Sequence, residues 1–375
     1  MIVLNLKEFR STISILKKTE DLESLGNIKM ESDEENSVLN IITKIKGHLV
    51  KLKIGLISCD ENIRFGMMSS EFCKMFKDLR ALTRKMTMEI ENGKLIVKWF
   101  KVQKDIEELE KEFVYEIIET KNHQKEEYLN ISAPFDFDSM ITLIGGINYT
   151  TAEKKLAKYS NYMNLSVNDK QGMFVYMDSI SIVSLKMKYS KDINMNMLLS
   201  TNDIIYYKRM VNGKVADTEL QIAIIENGIL LISDTLEFFI KKVEDRYPNI
   251  DFIRDMETGQ MVMQNFKYKI LDLKPGHPDV SKMADTDMKK NFLLLTSIGV
   301  RIYSIRELEP AQDYGDDTCV GYQMGRIIKA AHAFDEGDLV VARSKNFKDG
   351  IMFLNAKCSN VDYYLLPMTL LRVKK

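Results

Sequence analysis

The sequence predicts an α+β fold made of three similar domains, on the strength of three observations. A helix-like stretch followed by strand, tight turn and strand is written three times. Each copy ends at an Asn-Gly or Asp-Gly pair, the strongest short-range hairpin signal. The copies lie too far apart for a solenoid, whose repeats run to roughly 20 to 50 residues.

The first copy is S-S-E-F-C-K-M-F-K-D-L from Ser69, with M-T-M-E-I-E-N-G-K-L-I-V-K from Met86. The second is T-N-D-I-I-Y-Y-K-R-M-V from Thr201, with T-E-L-Q-I-A-I-I-E-N-G-I-L-L-I-S from Thr218. The third is M-G-R-I-I-K-A-A-H-A-F from Met324, with D-L-V-V-A-R-S-K-N-F-K-D-G-I-M-F-L-N from Asp338. Phe72, Ile204 and Ile327 stand three residues into their copies, and Leu79, Val211 and Phe334 stand ten in. Starts at 69, 201 and 324 are 132 and 123 residues apart, a spacing of whole domains.

Each repeat is expected to open with strand then helix. I-V-L-N-L alternates as a half-buried strand, and in K-E-F-R-S-T-I-S-I-L-K-K the residues Phe9, Ile13 and Leu16 recur at helical spacing. L-N-I-S-A-P-F-D-F-D-S-M-I-T-L-I-G-G from Leu129 opens the second repeat in the same way, followed by the basic T-T-A-E-K-K-L-A-K. The third opening, F-K-Y-K-I-L-D-L from Phe266, is strand-like. Pro275 and Pro278 break the stretch after it, because proline disfavours helix at the residue before it. Linkers are expected at Lys121 to Glu127 and Val243 to Asp251, giving domains of residues 1–124, 125–250 and 251–375.

Composition limits the functional classes. With 45% hydrophobic residues in 375, the chain can bury several cores. Its 53 basic and 54 acidic side chains nearly cancel, so any attraction to nucleic acid must come from uneven placement of charge. Cys59, Cys73, Cys319 and Cys358 form no C-x-x-C pair, which points to neither a zinc site nor a disulfide framework. A reducing cytoplasm is the expected setting. The N-terminal segment lacks the layout of a signal peptide, and no apolar run approaches the roughly 18 residues needed to span a bilayer. Phosphate-binding G-x-x-x-x-G-K-[ST], G-x-G-x-x-G and H-E-x-x-H are all missing. His48, His123, His277 and His332 are scattered, and the acid pairs Asp136 with Asp138 and Asp316 with Asp317 read as turns or solvated faces. Neither an enzyme nor a bound cofactor or metal is expected.

Charge placement is the informative feature. On the helix from Ser69, with Lys74 at zero, Lys77, Arg80 and Arg84 fall at about 300°, 240° and 280°, whereas Phe72, Met75, Phe76, Leu79 and Leu82 lie between about 80° and 200°. Lys7, Arg10, Lys17 and Lys18 lie away from the apolar stripe of the N-terminal helix. Lys154, Lys155 and Lys158 form another cluster, and Lys208 with Arg209 and Arg326 with Lys329 are smaller ones. A basic face on one amphipathic helix is ordinarily its solvated side. Recurrence in a nearly neutral chain suggests more, because the compensating acids must lie elsewhere.

In this order the segments resemble the bacterial DNA polymerase III β subunit family, the sliding clamps. V-E-D-R-Y-P-N-I-D at Val243 to Asp251 is similar to the family's V-D-G-R-F-P-D-Y, and D-Y-Y-L-L-P-M-T-L at Asp362 to Leu370 to its terminal Y-V-V-M-P-M-R-L. M-D-S-I-S-I-V at Met177 stands where the family has T-D-G-H-R-L-A. The resemblance implies a clamp fold with outer antiparallel sheets and two inner helices per domain. It also implies a ring-shaped homodimer that encircles double-stranded DNA without reading sequence. A DNA polymerase, a clamp loader and proteins carrying a clamp-binding motif would be its partners, with no membrane involved. The basic side chains above would face DNA.

A partner-peptide pocket would comprise Met177, Ser179, Ile180, Ile182, Pro248, Ile253, Leu365, Leu366, Pro367 and Met368. Ser179, Ile180 and Ser181 replace the family's Gly-His-Arg, and Thr369 its basic residue, so the motif recognised is expected to differ. By the same resemblance, the alternating E-F-V-Y-E-I-I-E from Glu112 would be the dimer edge strand, with Phe113 and Tyr115 as contacts. Richness in Lys, Asn, Ile and Met suits a low-GC bacterium, plasmid or phage. A second reading is a clamp-like scaffold or decoy acting in transcription or on host clamp partners.

Overall fold

The computed structural model describes residues 1–17, 25–78, 85–103, 106–120, 127–150, 158–177, 181–211, 219–250, 257–263, 291–296, 299–304, 320–323, 337–344, 347–355, 360–365 and 368–369. In chain order the first repeat contains β1 (Ile2–Leu4), α1 (Leu6–Lys17), β2 (Ile28–Asp33), β3 (Val38–Ile45), β4 (His48–Cys59), β5 (Arg64–Met67), α2 (Ser69–Asp78), β6 (Lys85–Glu91), β7 (Lys94–Gln103) and β8 (Ile106–Glu116). The second contains β9 (Asn130–Ile131), β10 (Phe135–Asp136), α3 (Phe137–Thr150), β11 (Tyr162–Asn168), β12 (Gln171–Met177), β13 (Ser181–Lys188), β14 (Met195–Ser200), α4 (Thr201–Val211), β15 (Glu219–Ile225), β16 (Gly228–Ile232) and β17 (Leu236–Val243). The third contains β18 (Glu257–Met263), β19 (Asn291–Thr296), β20 (Gly299–Ser304), β21 (Val320–Gln323), β22 (Gly337–Ser344), β23 (Phe347–Asn355), β24 (Val361–Leu365) and β25 (Met368–Thr369). Its opening at Phe266, its helix from Met324, and Pro275 and Pro278 lie outside the described residues.

Strand pairing repeats three times, always antiparallel. The strand that opens each repeat pairs with the first strand of its hairpin: β1 with β6, β9 with β15, β18 with β22. The hairpins are β6 to β7, β15 to β16 and β22 to β23, each extended by a third strand, β8, β17 or β24. The remaining strands form a second group, in which β2 pairs with β3 and β5, β11 with β12 and β14, and β19 with β20 and β21.

Two compact units result, each assembled from two stretches of chain: residues 1–137 with 203–242, and residues 138–202 with 243–375. The first is organised by an eight-stranded sheet running β5-β2-β3-β4-β17-β16-β15-β9. Its seam is β4, where Leu52 faces Ile41 on one side and Leu236 on the other. Beyond the seam the same strand continues to pair β1, which starts the smaller sheet β1-β6-β7-β8. His48 fastens the seam: Nδ1–H donates to the Phe239 carbonyl at 3.2 Å, Nε2 lies 3.5 Å from Asp203, and the ring stacks on Phe238. The second unit carries the matching sheet, β14-β11-β12-β13-β24-β23-β22-β18.

The helices form where the apolar spacing places them. Asn5 caps α1 by accepting from Lys7 N–H at 2.9 Å and Glu8 N–H at 3.3 Å, satisfying two donors that the first turn would leave open. Phe9, Ile13 and Leu16 are fully buried beneath it, as are Phe72 under α2 and Ile204 and Val211 under α4.

Two hairpin turns differ from expectation. In the first repeat Asn92 and Gly93 occupy the turn with φ of 49° and 74°, as a type I′ turn requires. In the second, Ile225 pairs directly with Gly228, so Glu226 and Asn227 make the turn. Gly228 is required for a different reason: a Cβ there would lie 2.0 Å from the Ile240 carbonyl oxygen of β17. In the third, Ser344 pairs with Phe347, and Asp349 and Gly350 fall inside β23. An irregularity between Ala342 and Ser344 shifts that register away from the Asp-Gly pair.

Candidate nucleic-acid interface

Three described helices carry basic residues from the expected set. On α1, Lys7 is exposed, while Arg10 is half-buried with its guanidinium 5.6 Å above the Phe76 ring of α2. This cation–π contact brings the two helices together and keeps the Arg10 charge at their junction. On α2, Lys74 and Lys77 are both exposed on the side away from Phe72, Cys73 and Met75. Lys74 lies 3.9 Å from Glu71 at a loose i,i+3 spacing and 5.8 Å above the Tyr115 ring, which leaves its ammonium in water. On α4, Arg209 is exposed and Lys208 is half-buried, and burial pulls the Lys208 ammonium below its ordinary value. Lys17 ends α1 and Lys158 begins a short 3-10 turn, but their side chains lie outside the described set. Lys18, Arg80, Arg84, Lys154, Lys155, Arg326 and Lys329 also fall outside the described residues.

Several residues of the expected peptide pocket converge in the second unit. Met177 closes β12 opposite Ile182 of β13, and Ile182 in turn faces Tyr364 of β24. Leu365 pairs with Ser181, and Met177, Ile182 and Leu365 are all buried. Pro248 is half-buried beside Tyr247, whose hydroxyl donates to the Val175 carbonyl at 3.5 Å and holds this segment along β12. Ser179, Ile180, Ile253, Leu366 and Pro367 lie outside the described residues, and Met368 is described only as backbone in β25.

β8 is an edge strand: among the described residues no strand pairs with it except β7. Phe113 is half-buried, with ring centroids 5.1 Å from Trp99 and 6.2 Å from Tyr115. Tyr115 is 1% exposed, and its hydroxyl donates to Asp78 at 3.1 Å. Burial first, and the Asp78 charge second, raise that phenol well above its ordinary value. Both aromatic rings therefore pack towards α2. The apolar side chains exposed on this strand are Leu109 and Val114, which alternation alone could not tell from the buried set.

No group of His, Cys, Asp or Glu among the described residues is placed to hold a metal. No described helix is long and apolar enough to cross a membrane.

Helices carrying basic faces over a thrice-repeated antiparallel strand pattern define the class as a DNA-clamp fold. Neither a protein-family model nor a curated protein matches the sequence. Solved structures do, end to end, and they are bacterial DNA polymerase III β sliding clamps. The subunit from Pseudomonas aeruginosa is similar with a TM-score of 0.61 and 13% identity, over 98% of this chain and 99% of that one. The β subunit from Streptococcus pyogenes gives 0.62 and 10%, over 98% and 100%. A putative β subunit from Eubacterium rectale gives 0.58 and 14%, over 98% of each. The chain has the sliding-clamp fold along its whole length.

Proposed function

We infer that this protein is a DNA sliding clamp: a homodimeric ring of three-domain subunits that encloses duplex DNA and tethers a polymerase, with no chemical step of its own. The observation that carries the reading is a pairing rule. The third strand of repeat two, β17, joins the sheet of repeat one through β4, and the third strand of repeat three, β24, joins repeat two through β13. The third strand of repeat one, β8, has no such neighbour among the described residues. Supplying it from repeat three of a second copy continues the rule and closes six repeats head to tail. Domains of residues 1–124, 125–250 and 251–375 are the units of this arrangement.

Lys7, Lys74, Lys77 and Arg209, all exposed on helices, then supply the phosphate contacts. Such contacts hold without reading bases and weaken as salt rises. The cluster of Met177, Ile182 and Leu365 floors the site for a clamp-binding peptide, whose ends meet the Pro248 and Met368 segments.

Retention on DNA tests the reading. Once loaded, the protein should remain on closed circular DNA and be lost from the same DNA after linearisation. Light scattering should give about twice the subunit mass of 43.4 kDa. Equal retention on circular and linear DNA, or a monomer at every concentration with the loader present, overturns the proposal.

A further inference from the structure

On the face of the first unit's eight-stranded sheet opposite to where Phe238 meets Tyr207, a cleft of about 710 Å³ crosses the β4 to β17 seam. That volume lies inside the range of about 300 to 1,000 Å³ usual for ligand sites. Half-buried or buried aliphatic side chains, Val38, Leu230 and Ile232, make its floor. Asn40 stands among them, only 6% exposed, and its carboxamide has no hydrogen-bond partner among the described residues. A buried amide without a partner is costly, and here it faces the cleft with a donor and an acceptor both unused.

The cleft's charges divide into two kinds. Glu31 is held by Lys29 at 2.8 Å and Arg64 at 3.5 Å, and Glu237 by Lys53 at 2.8 Å and Lys51 at 3.3 Å. Glu219 and Asp234, exposed at one end, have no ion-pair partner among the described residues. The unanswered charge on this surface is therefore negative.

We propose that this cleft is a second docking site, for a short extended peptide in which Lys or Arg alternates with aliphatic residues. The aliphatic side chains lie on Val38, Leu230 and Ile232, Asn40 bonds one peptide group of the guest, and its cations meet Glu219 and Asp234. The site stands apart from the Met177 cluster and does not rest on the ring reading.

Fluorescence anisotropy with a labelled Ala-Arg-Leu-Lys-Leu-Arg amide tests it at about 0.1 M salt, where paired charges at contact are only partly screened. A second peptide with Glu at each basic position serves as control. Saturable binding of the basic peptide alone is expected. Glu219→Gln with Asp234→Asn, both at exposed positions that the fold does not need, should weaken it at least about tenfold, a change of about 1.4 kcal/mol. Asn40→Ala should weaken it further if its circular-dichroism spectrum is unchanged. Absence of saturable binding, equal binding of the acidic peptide, indifference to the double variant, or displacement by duplex DNA each overturns the proposal.

Discussion

Replacing Gly228 by alanine should be among the most damaging single-methyl changes this fold can suffer. The added Cβ would lie 2.0 Å from the Ile240 carbonyl oxygen, 3.0 Å from its carbon and 3.1 Å from Lys241 Cα. Ordinary carbon-to-oxygen contact is roughly 3.3 Å, so β16 and β17 must separate by more than about 1 Å. They cannot do so freely: Gly228 pairs with Lys241, Ile229 with Ile240, and Lys242 N–H donates to the Asn227 carbonyl at 2.9 Å. A shift of that size stretches two or three bonds beyond useful length, at about 1 kcal/mol each, and adds overpacking of about 1 to 3 kcal/mol. The expected loss is about 3 to 5 kcal/mol. Gly93→Ala is the control. Nothing lies within 4 Å of its Cβ position, so only the strain of φ at 74° remains, about 1 to 2 kcal/mol. Trp99, the single tryptophan and only 3% exposed, lies in the same unit, so urea unfolding followed by its fluorescence reads both variants. A Gly228→Ala midpoint at or above that of Gly93→Ala would refute the close-approach account.

Three further outcomes are expected. Glu237 is buried, which opposes its charge, but hydrogen bonds and attraction from Lys53 and Lys51 outweigh this and lower its pKa. Its contribution is therefore complete above the ordinary carboxylate value of about 4.3 and fades as pH falls through the lower folded value, so Glu237→Gln should flatten the acid limb of the urea midpoint. Tyr115→Phe removes the bond to Asp78 and should cost about 1 kcal/mol near neutral pH. Because the phenol is raised in the folded state, the parent should lose stability as pH rises through about 10 more steeply than this variant does. Asn5→Ala should cost about 1 kcal/mol by uncapping α1, measured as a lower melting temperature.

The strand, helix and hairpin order of the first two repeats was legible because it rests on local pattern. Phe9, Ile13, Phe72 and Ile204 stand where helical spacing places them, and all are buried. Glycine was read less well, since the sequence cannot tell a turn glycine such as Gly93 from one like Gly228, demanded by a neighbouring strand. The seam is not legible at all: Leu52 and Leu236 are far apart in sequence, and their pairing depends on two repeats meeting in one register. The basic faces of α1 and α2 came from charge periodicity. That Arg10 would spend its guanidinium on Phe76 did not, because it depends on how the two helices pack.

The open edge of β8 gives the ring proposal its sharpest test. Adjacent residues of a strand direct their N–H groups to opposite sides, so of Lys111 and Glu112 one donates towards β7 and the other towards the open edge. They face Trp99 and Lys98 respectively, and both side chains are exposed, so replacing either removes little packing. Proline deletes the N–H, and edge strands tolerate it only where that donor is not needed within the fold. Of Lys111→Pro and Glu112→Pro, one should therefore destabilise the subunit itself. The other should leave Trp99 fluorescence and the urea midpoint close to the parent's while shifting the light-scattering mass from dimer to monomer. Circular-DNA retention should be lost in that same variant, since an unclosed ring cannot stay threaded. If both variants kept the dimer, or if the dimer fell apart only where the subunit also unfolded, the second copy would have to join elsewhere and the pairing rule would end at β8.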